Sequence, residues 1–190
     1  MKFKQSGIPT WGGVAIASQN ATSRPFTSED DCSGNFEALQ ASSRVCANWI
    51  AVSNNRSLLV VSLYCFSGAP CDSDKHTAND NLFRQVLEML AQFGDIPIAL
   101  CADFQNTPHS YSSINDVLQK GLYFDPLIFR DENGMNRHLT FCKNQKWNKK
   151  DAKTSIDGIL LNHVAYSYLV NAEAIPTKGL QHARVVCTFK

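Results

Sequence analysis

The chain has 190 residues, 44% of them hydrophobic and 10% aromatic, and a formal net charge of +1 at pH 7. That length supports one domain with a sizeable core. The near-neutral balance gives no overall field to draw the chain onto nucleic acid or lipid, and the longest apolar runs fall far short of a bilayer span, so no membrane partner is expected.

In chain order, WGGVAIAS (11–18) reads as a strand entered through a glycine pair, and SRPFTSEDDCSGN (23–35) as a polar loop. NWIAVS (48–53) and SLLVVSLYCF (57–66) read as strands, with a hairpin turn on the NNR between them. SGAPCDSDKHTAND (67–80) reads as a loop. Leu82, Phe83, Val86, Leu87, Leu90 and Phe93 then recur at helical spacing, between an N-cap at Asp80 and a stop at Gly94. The strand IPIALCA (96–102) follows. Ser113 with Asp116 three residues on predicts a short helix that Gly121 ends. RHLTFC (137–142), SIDGILL (155–161) and ARVVCTF (183–189) are further predicted strands. Strands interrupted by helices, with no internal repeat or linker, predict an α/β (α+β) layered fold.

The seven cysteines are odd in number, lack CxxC spacing and in several cases sit inside apolar runs. They point to reduced, buried thiols in an intracellular protein, nuclear or cytoplasmic, rather than to a disulfide framework or a zinc site. The triplets NAT (20–22) and NRS (55–57) resemble glycosylation acceptors but mean little without a secretory signal. KNQKWNKKDAK (143–153) is a local basic patch with Trp147 between lysines. By charge alone it reads as a solvated loop.

Four polar residues stand at strand ends, where rigid scaffolds present reactive groups. Tyr64 lies late in the strand 57–66, Asp103 ends the strand 96–102, Asp157 interrupts an apolar strand, and His182 precedes the final one. Singly, each has a plain structural reading: a turn-capping Asp, a core Tyr, a surface imidazole. Together, Asp and His can form a general acid/base pair with an orienting carboxylate.

Five segments in register resemble the endonuclease/exonuclease/phosphatase superfamily, which includes pancreatic-type deoxyribonucleases, apurinic endonucleases, inositol-polyphosphate phosphatases and non-LTR retrotransposon endonucleases. GGVAIAS is similar to the family's Gly-Gly-Val-Ala-Ile strand, and LLVVSLYCFSGAP to the strand bearing the active-site Tyr. PIALCADFQNTP resembles Gly-Asp-Phe-Asn, TSIDGILL the Ser-Arg-Ile-Asp-Tyr-Ile-Leu strand, and LQHARVVCTF the closing Ser-Asp-His-x-Pro-Val segment. The resemblance implies two mixed β-sheets packed face to face with helices outside, and Mg²⁺-dependent hydrolysis of a phosphate ester in nucleic acid or another phosphoester substrate. It implies that Asp103 orients or deprotonates the attacking water and that His182 contacts the scissile phosphate. It also implies that Asp157 orients His182 and that the Tyr64 hydroxyl reaches the phosphate.

The chain departs from the family pattern in its metal shell. The family's Asn and metal-binding Glu precede the Gly-Gly-Val-Ala segment, which here begins about ten residues from Met1. One domain over 1–190 is therefore expected, truncated at its N-terminus and lacking the opening strands. Gln105 stands where the family has Asn, with Asn106 one place later, and both are substrate-binding candidates. Gln181 replaces the Asp before the closing His, so no metal ligand is assigned. Two functional readings follow: a metal-dependent phosphoesterase, nuclease or phosphatase, with a degenerate metal shell; or a catalytically inactive fragment or binding module derived from a retroelement endonuclease, its protein partner unknown.

Overall fold

The computed structural model describes residues 14–53, 56–132, 134–143, 147 and 153–190. Its elements are β1 (Ser23–Pro25), α1 (Phe36–Ala41), β2 (Val45–Ser53), β3 (Arg56–Tyr64), α2 (Ser73–Leu90), β4 (Ile98–Asp103), α3 (Ser112–Gln119), β5 (Tyr123–Phe124), β6 (Ile128–Asp131), β7 (Gly134–Arg137), β8 (Phe141–Cys142), β9 (Lys153–Thr154), β10 (Asp157–Asn162), α4 (His163–Ser167), β11 (Leu169–Ile175) and β12 (Arg184–Phe189). The fold is α/β, built on a mixed sheet in the order β1-β2-β3-β4-β10-β5. The β3–β4 pair is parallel and the other pairs are antiparallel. β11 and β12 form a separate antiparallel hairpin, as do β6 with β7 and β8 with β9.

Alternation along the strands sorts the core. Leu59, Val61 and Leu63 of β3 and Ile98, Leu100 and Ala102 of β4 are buried in one cluster with Leu82, Phe83, Val86, Met89 and Leu90 of α2. Each of the larger side chains among them contributes about 1.5–3 kcal/mol on burial. The odd-numbered residues of β4 and the even-numbered ones of β3 face the other way. On that second face lie Tyr64, Asp103 and Asp157, which register side by side across β3, β4 and β10.

Several boundaries differ from the sequence expectations. α2 begins at Ser73 rather than after Asp80, because Asp72 accepts from the amides of Asp74 and Lys75 at 3.1 and 3.2 Å. Its first turns are polar and carry no apolar period. Asp80 instead lies inside α2 and caps the neighbouring helix, accepting from the Ser112 and Ser113 hydroxyls at 2.5 and 2.6 Å and from the Ser113 amide at 2.9 Å. Ser113 therefore makes no capping box with Asp116. The polar stretch 23–35 holds β1, an edge strand where Pro25 is tolerated. Residues 14–18 form no strand, and 11–13 lie outside the described residues. The predicted strand 137–142 is two pieces, β7 ending at Arg137 and β8 starting at Phe141. Asn54 and Asn55 of the predicted turn, and residues 144–146 and 148–152 of the basic patch, lie outside the described residues.

None of the seven cysteines is joined to another in a disulfide, and Cys65 and Cys142 are buried while Cys32 and Cys71 are exposed. Among the described residues no helix is long and apolar enough to cross a membrane.

Candidate functional site

The second face of the sheet ends in two carboxylates placed directly opposite each other. Asp103 and Asp157 are register partners at the end of the β4–β10 ladder. Like charges in such a pair repel. His182, just before β12, completes the cluster: one ligand atom from each of Asp103, Asp157 and His182 lies within 4.8 Å of the others. The His182 Nδ1 sits 3.0 Å from both carboxylate oxygens of Asp157. Its ring packs edge-on against Phe141 at 5.0 Å.

Local backbone explains why His182 arrives there. Phe141 bridges to His182, the Cys142 amide donates to the Gln181 carbonyl at 2.8 Å, and the Ala183 amide donates to the Thr140 carbonyl at 2.7 Å. Thr140 also serves the other partner, since its Oγ1 accepts from the Asp157 amide at 2.8 Å. One buried threonine thus positions both members of the His–Asp pair.

Arg137 braces the same strand from behind. Its Nη2 donates to the Asp157 carbonyl at 3.0 Å, its Nη1 to the Ser155 carbonyl at 2.9 Å, and its Nε to Asp125 at 2.6 Å. Gly158 makes room for it: a Cβ there would collide with Arg137 Nη2. On the helix side, the buried Asn79 exchanges hydrogen bonds with the Phe66 backbone and donates to the Tyr111 hydroxyl at 3.2 Å. Tyr111 in turn donates to the Phe104 carbonyl at 2.6 Å. This network fixes the exits of β3 and β4, the two strands that carry Tyr64 and Asp103.

The electrostatics follow from burial. Asp103 holds its proton more tightly than an ordinary carboxyl, first because it is buried and second because the Asp157 charge faces it; two hydrogen bonds from Gln105 and the nearby His182 oppose the rise. Burial likewise raises Asp157, against His182, Thr140 and Arg137. Burial pushes the Cys101 thiol up to about 12 and Cys187 to about 11, which makes neither a thiolate nucleophile.

The remaining sequence candidates are placed as follows. Tyr64 stands beside Asp103, 36% exposed, with its hydroxyl 3.4 Å from the Ser67 hydroxyl. Gln105 folds back onto Asp103, donating from its amide nitrogen to Oδ1 at 3.1 Å and from Nε2 to Oδ2 at 2.6 Å. It does so with φ 57°, in the left-handed region. The Asn106 Oδ1 accepts from the amide of Thr107 at 2.8 Å. Gln181 turns away from the carboxylates, its Nε2 donating to the Lys143 carbonyl at 2.8 Å. Thr140, Arg137, Asn79 and Tyr111 were not singled out by sequence. Beneath the cluster, a groove of about 300 Å³ runs between the sheet and β12, lined by Ser62, Cys101, Asp103, Asp157, Ile159 and Val185.

No family model and no curated protein matches the chain. Solved structures do. The 3′ phosphatase NExo from Neisseria, bound to a product DNA hairpin, superposes with a TM-score of 0.59 at 17% identity over 78% of this chain. This chain spans only 65% of that protein's length. The endonuclease domain of TRAS1, a telomere-specific non-LTR retrotransposon, gives 0.58 at 9% identity, covering 92% of this chain and 71% of that one. The AP endonuclease LMAP from Leishmania major gives 0.56 at 13% identity, covering 74% and 53%. The fold of the chain is that of the endonuclease/exonuclease/phosphatase proteins.

Proposed function

We propose, for a chain with the endonuclease/exonuclease/phosphatase fold, that it is a phosphoester hydrolase domain acting on nucleic acid. One observation carries the reading: two opposed, proton-avid carboxylates and a carboxylate-bound imidazole converge at one sheet end, on strands where Tyr64 registers opposite Asp103. A sheet needs no such arrangement for stability, and perturbed carboxylates grouped with an imidazole mark reactive sites. The similar structures, a DNA-bound phosphatase and an AP endonuclease, support nucleic acid as the substrate.

The roles follow from placement. Asp103, with its raised proton affinity, takes the proton of the attacking water as oxygen bonds to phosphorus and the ester P–O bond breaks. Asp157 holds the Nδ1 side of His182 and turns Nε2 toward the phosphoryl oxygens. Tyr64 donates its hydroxyl to the same phosphate. The donor set fits a hard divalent cation, which Asp103 and Asp157 would hold. When bound, such an ion stabilises the negative charge that builds on the phosphoryl oxygens.

The second reading is a catalytically inactive binding module. It draws on Gln105 and Gln181, neutral residues whose amides are spent on Asp103 and on the Lys143 carbonyl. Cleavage of supercoiled plasmid and of bis(4-nitrophenyl) phosphate, with and without Mg²⁺ or Mn²⁺, decides between them. The hydrolase reading expects metal-dependent cleavage that falls about a hundredfold or more in His182→Ala. No metal-dependent cleavage by the folded, unaltered chain overturns it in favour of the binding module.

A further inference from the structure

Among the described residues, the Asp103 carboxylate takes both of its hydrogen bonds from one neighbour. The Gln105 amide donates to Oδ1 at 3.1 Å and the Gln105 Nε2 to Oδ2 at 2.6 Å. The carboxamide must turn its nitrogen this way, because its oxygen would repel the carboxylate. Asp157, opposite Asp103 in the ladder, is held instead by the His182 Nδ1. Asp103, Asp157 and His182 are the groups that could share one ion, and Gln105 covers the first of them.

The backbone beneath this contact is pinned. The Phe104 amide donates to the Ile156 carbonyl at 2.6 Å, the Tyr111 hydroxyl donates to the Phe104 carbonyl at 2.6 Å, and the Asn106 Oδ1 accepts from the Thr107 amide at 2.8 Å. Held between these bonds, Gln105 has φ 57°, a region that Gly and Asn enter readily and Gln does not. The turn itself needs only the backbone bond to Oδ1, which a glycine would make equally well. The Gln side chain adds a second donor, on the oxygen the backbone leaves open. Local strain that the surroundings hold in place is characteristic of switch regions and ligand clamps.

An amide donor and a cation compete for one carboxylate oxygen, since each brings positive charge to the same lone pairs. An ion reaching Oδ2 must displace Nε2 or bind without that oxygen. We propose that the Gln105 side chain is a latch on Asp103, which restrains divalent-cation entry until the carboxamide leaves Oδ2. The inference rests on the cation-holding part of the hydrolase reading and assigns that site its regulation.

Mn²⁺ alone is the probe, its free ion counted by electron paramagnetic resonance. Gln105→Gly removes the carboxamide, keeps the backbone bond to Oδ1 and suits the left-handed φ. Gln105→Met keeps the length of the side chain without a donor. Each should bind Mn²⁺ about tenfold more tightly than the unaltered chain, the effect of removing one hydrogen bond to a charged group. In Asp103→Asn the Gln105→Gly change should bring no gain, because the latch acts through that carboxylate. In cleavage of bis(4-nitrophenyl) phosphate the half-saturating Mn²⁺ concentration should fall about tenfold in Gln105→Gly, with the rate at saturation unchanged. Either Gln105 variant binding Mn²⁺ no more tightly than the unaltered chain overturns the latch, and so does an equal gain in Asp103→Asn. Tighter Mn²⁺ binding in both variants, with no cleavage by any of these chains, leaves the latch standing and the hydrolase reading fallen. Metal-dependent cleavage with unchanged Mn²⁺ binding in the variants fells the latch alone.

Discussion

Aspartates on the two sides of the sheet behave in opposite ways. Asp30, Asp72 and Asp80 support loops and helix starts, and all three hold their protons more weakly than ordinary carboxyls. The Arg24 guanidinium does this for Asp30, and the Lys75 amide for Asp72. At Asp80 burial works against the shift, and the Ser112 and Ser113 hydroxyls overcome it. Asp103 and Asp157 shift upward, because burial, joined at Asp103 by the facing Asp157 charge, outweighs the donors they have. The residue type is the same; the balance between burial and the donors aimed at it decides. A carboxylate fully surrounded by donors is structural, and one left short of them is poised for a proton, a cation or a substrate.

Three measurements test that contrast. The largest effect belongs to a buried charge that is fully paired: the Asp125 side chain is 0% and Arg137 10% exposed. Arg137→Ala strands Asp125 and should cost about 3–5 kcal/mol in urea unfolding. A loss below about 1 kcal/mol would show that the brace behind Asp157 is ornamental. The next effect is a pair of opposite signs. Asp80→Ala removes the acceptor that starts α3 and should cost about 1–2 kcal/mol. Asp103→Asn relieves the repulsion with Asp157 and should gain about 0.5–1 kcal/mol while abolishing cleavage. Destabilisation by both would erase the distinction between the two regions.

The smallest effect is in the pH profile, best read in His182→Ala so that the site carboxylates titrate without the imidazole. Asp103 and Asp157 have folded values above the unfolded one, so the folded state binds more protons between those values. Stability should therefore rise as pH falls from neutral toward the unfolded value near 4. Asp30, Asp72 and Asp80 have depressed folded values. Their contribution is present above the unfolded value and lost as pH falls below it. Adding Asp103→Asn should shrink the upper limb to the part Asp157 supplies and leave the acid limb unchanged. An upper limb of undiminished size places its source outside Asp103.

The sequence made the sheet readable where strands are half-buried and apolar, as in β3, β4, β10 and β12. It gave the apolar part of α2 but not its first eight residues, which are polar apart from Ala78 and leave no apolar period. β1 and β11 were missed for a related reason: β1 is a three-residue exposed edge and β11 mixes Asn and Glu among small residues. The polar residues of the site announced themselves by standing at the ends of apolar strands or, for Asp157, within one. Thr140 and Arg137 did not, because a lone Thr or Arg near a strand end looks ordinary until the pairing that aims it is known. Gln105 was visible as a departure from the family pattern, but its fold-back onto Asp103 depends on a backbone angle that composition does not encode.

Gly158 has a consequence in chemical ageing. An Asp-Gly step is the sequence most ready to cyclise and rearrange to isoaspartate, since nothing shields the glycine nitrogen. Here that step lies inside a ladder, Gly158 opposite Ala102, with the Asp157 carboxylate held on His182. The glycine is there to admit a guanidinium rather than to make a turn. The folded chain therefore holds carboxyl and nitrogen apart, and isoaspartate at position 157, counted by peptide mapping, becomes a clock for the time each molecule has spent unfolded.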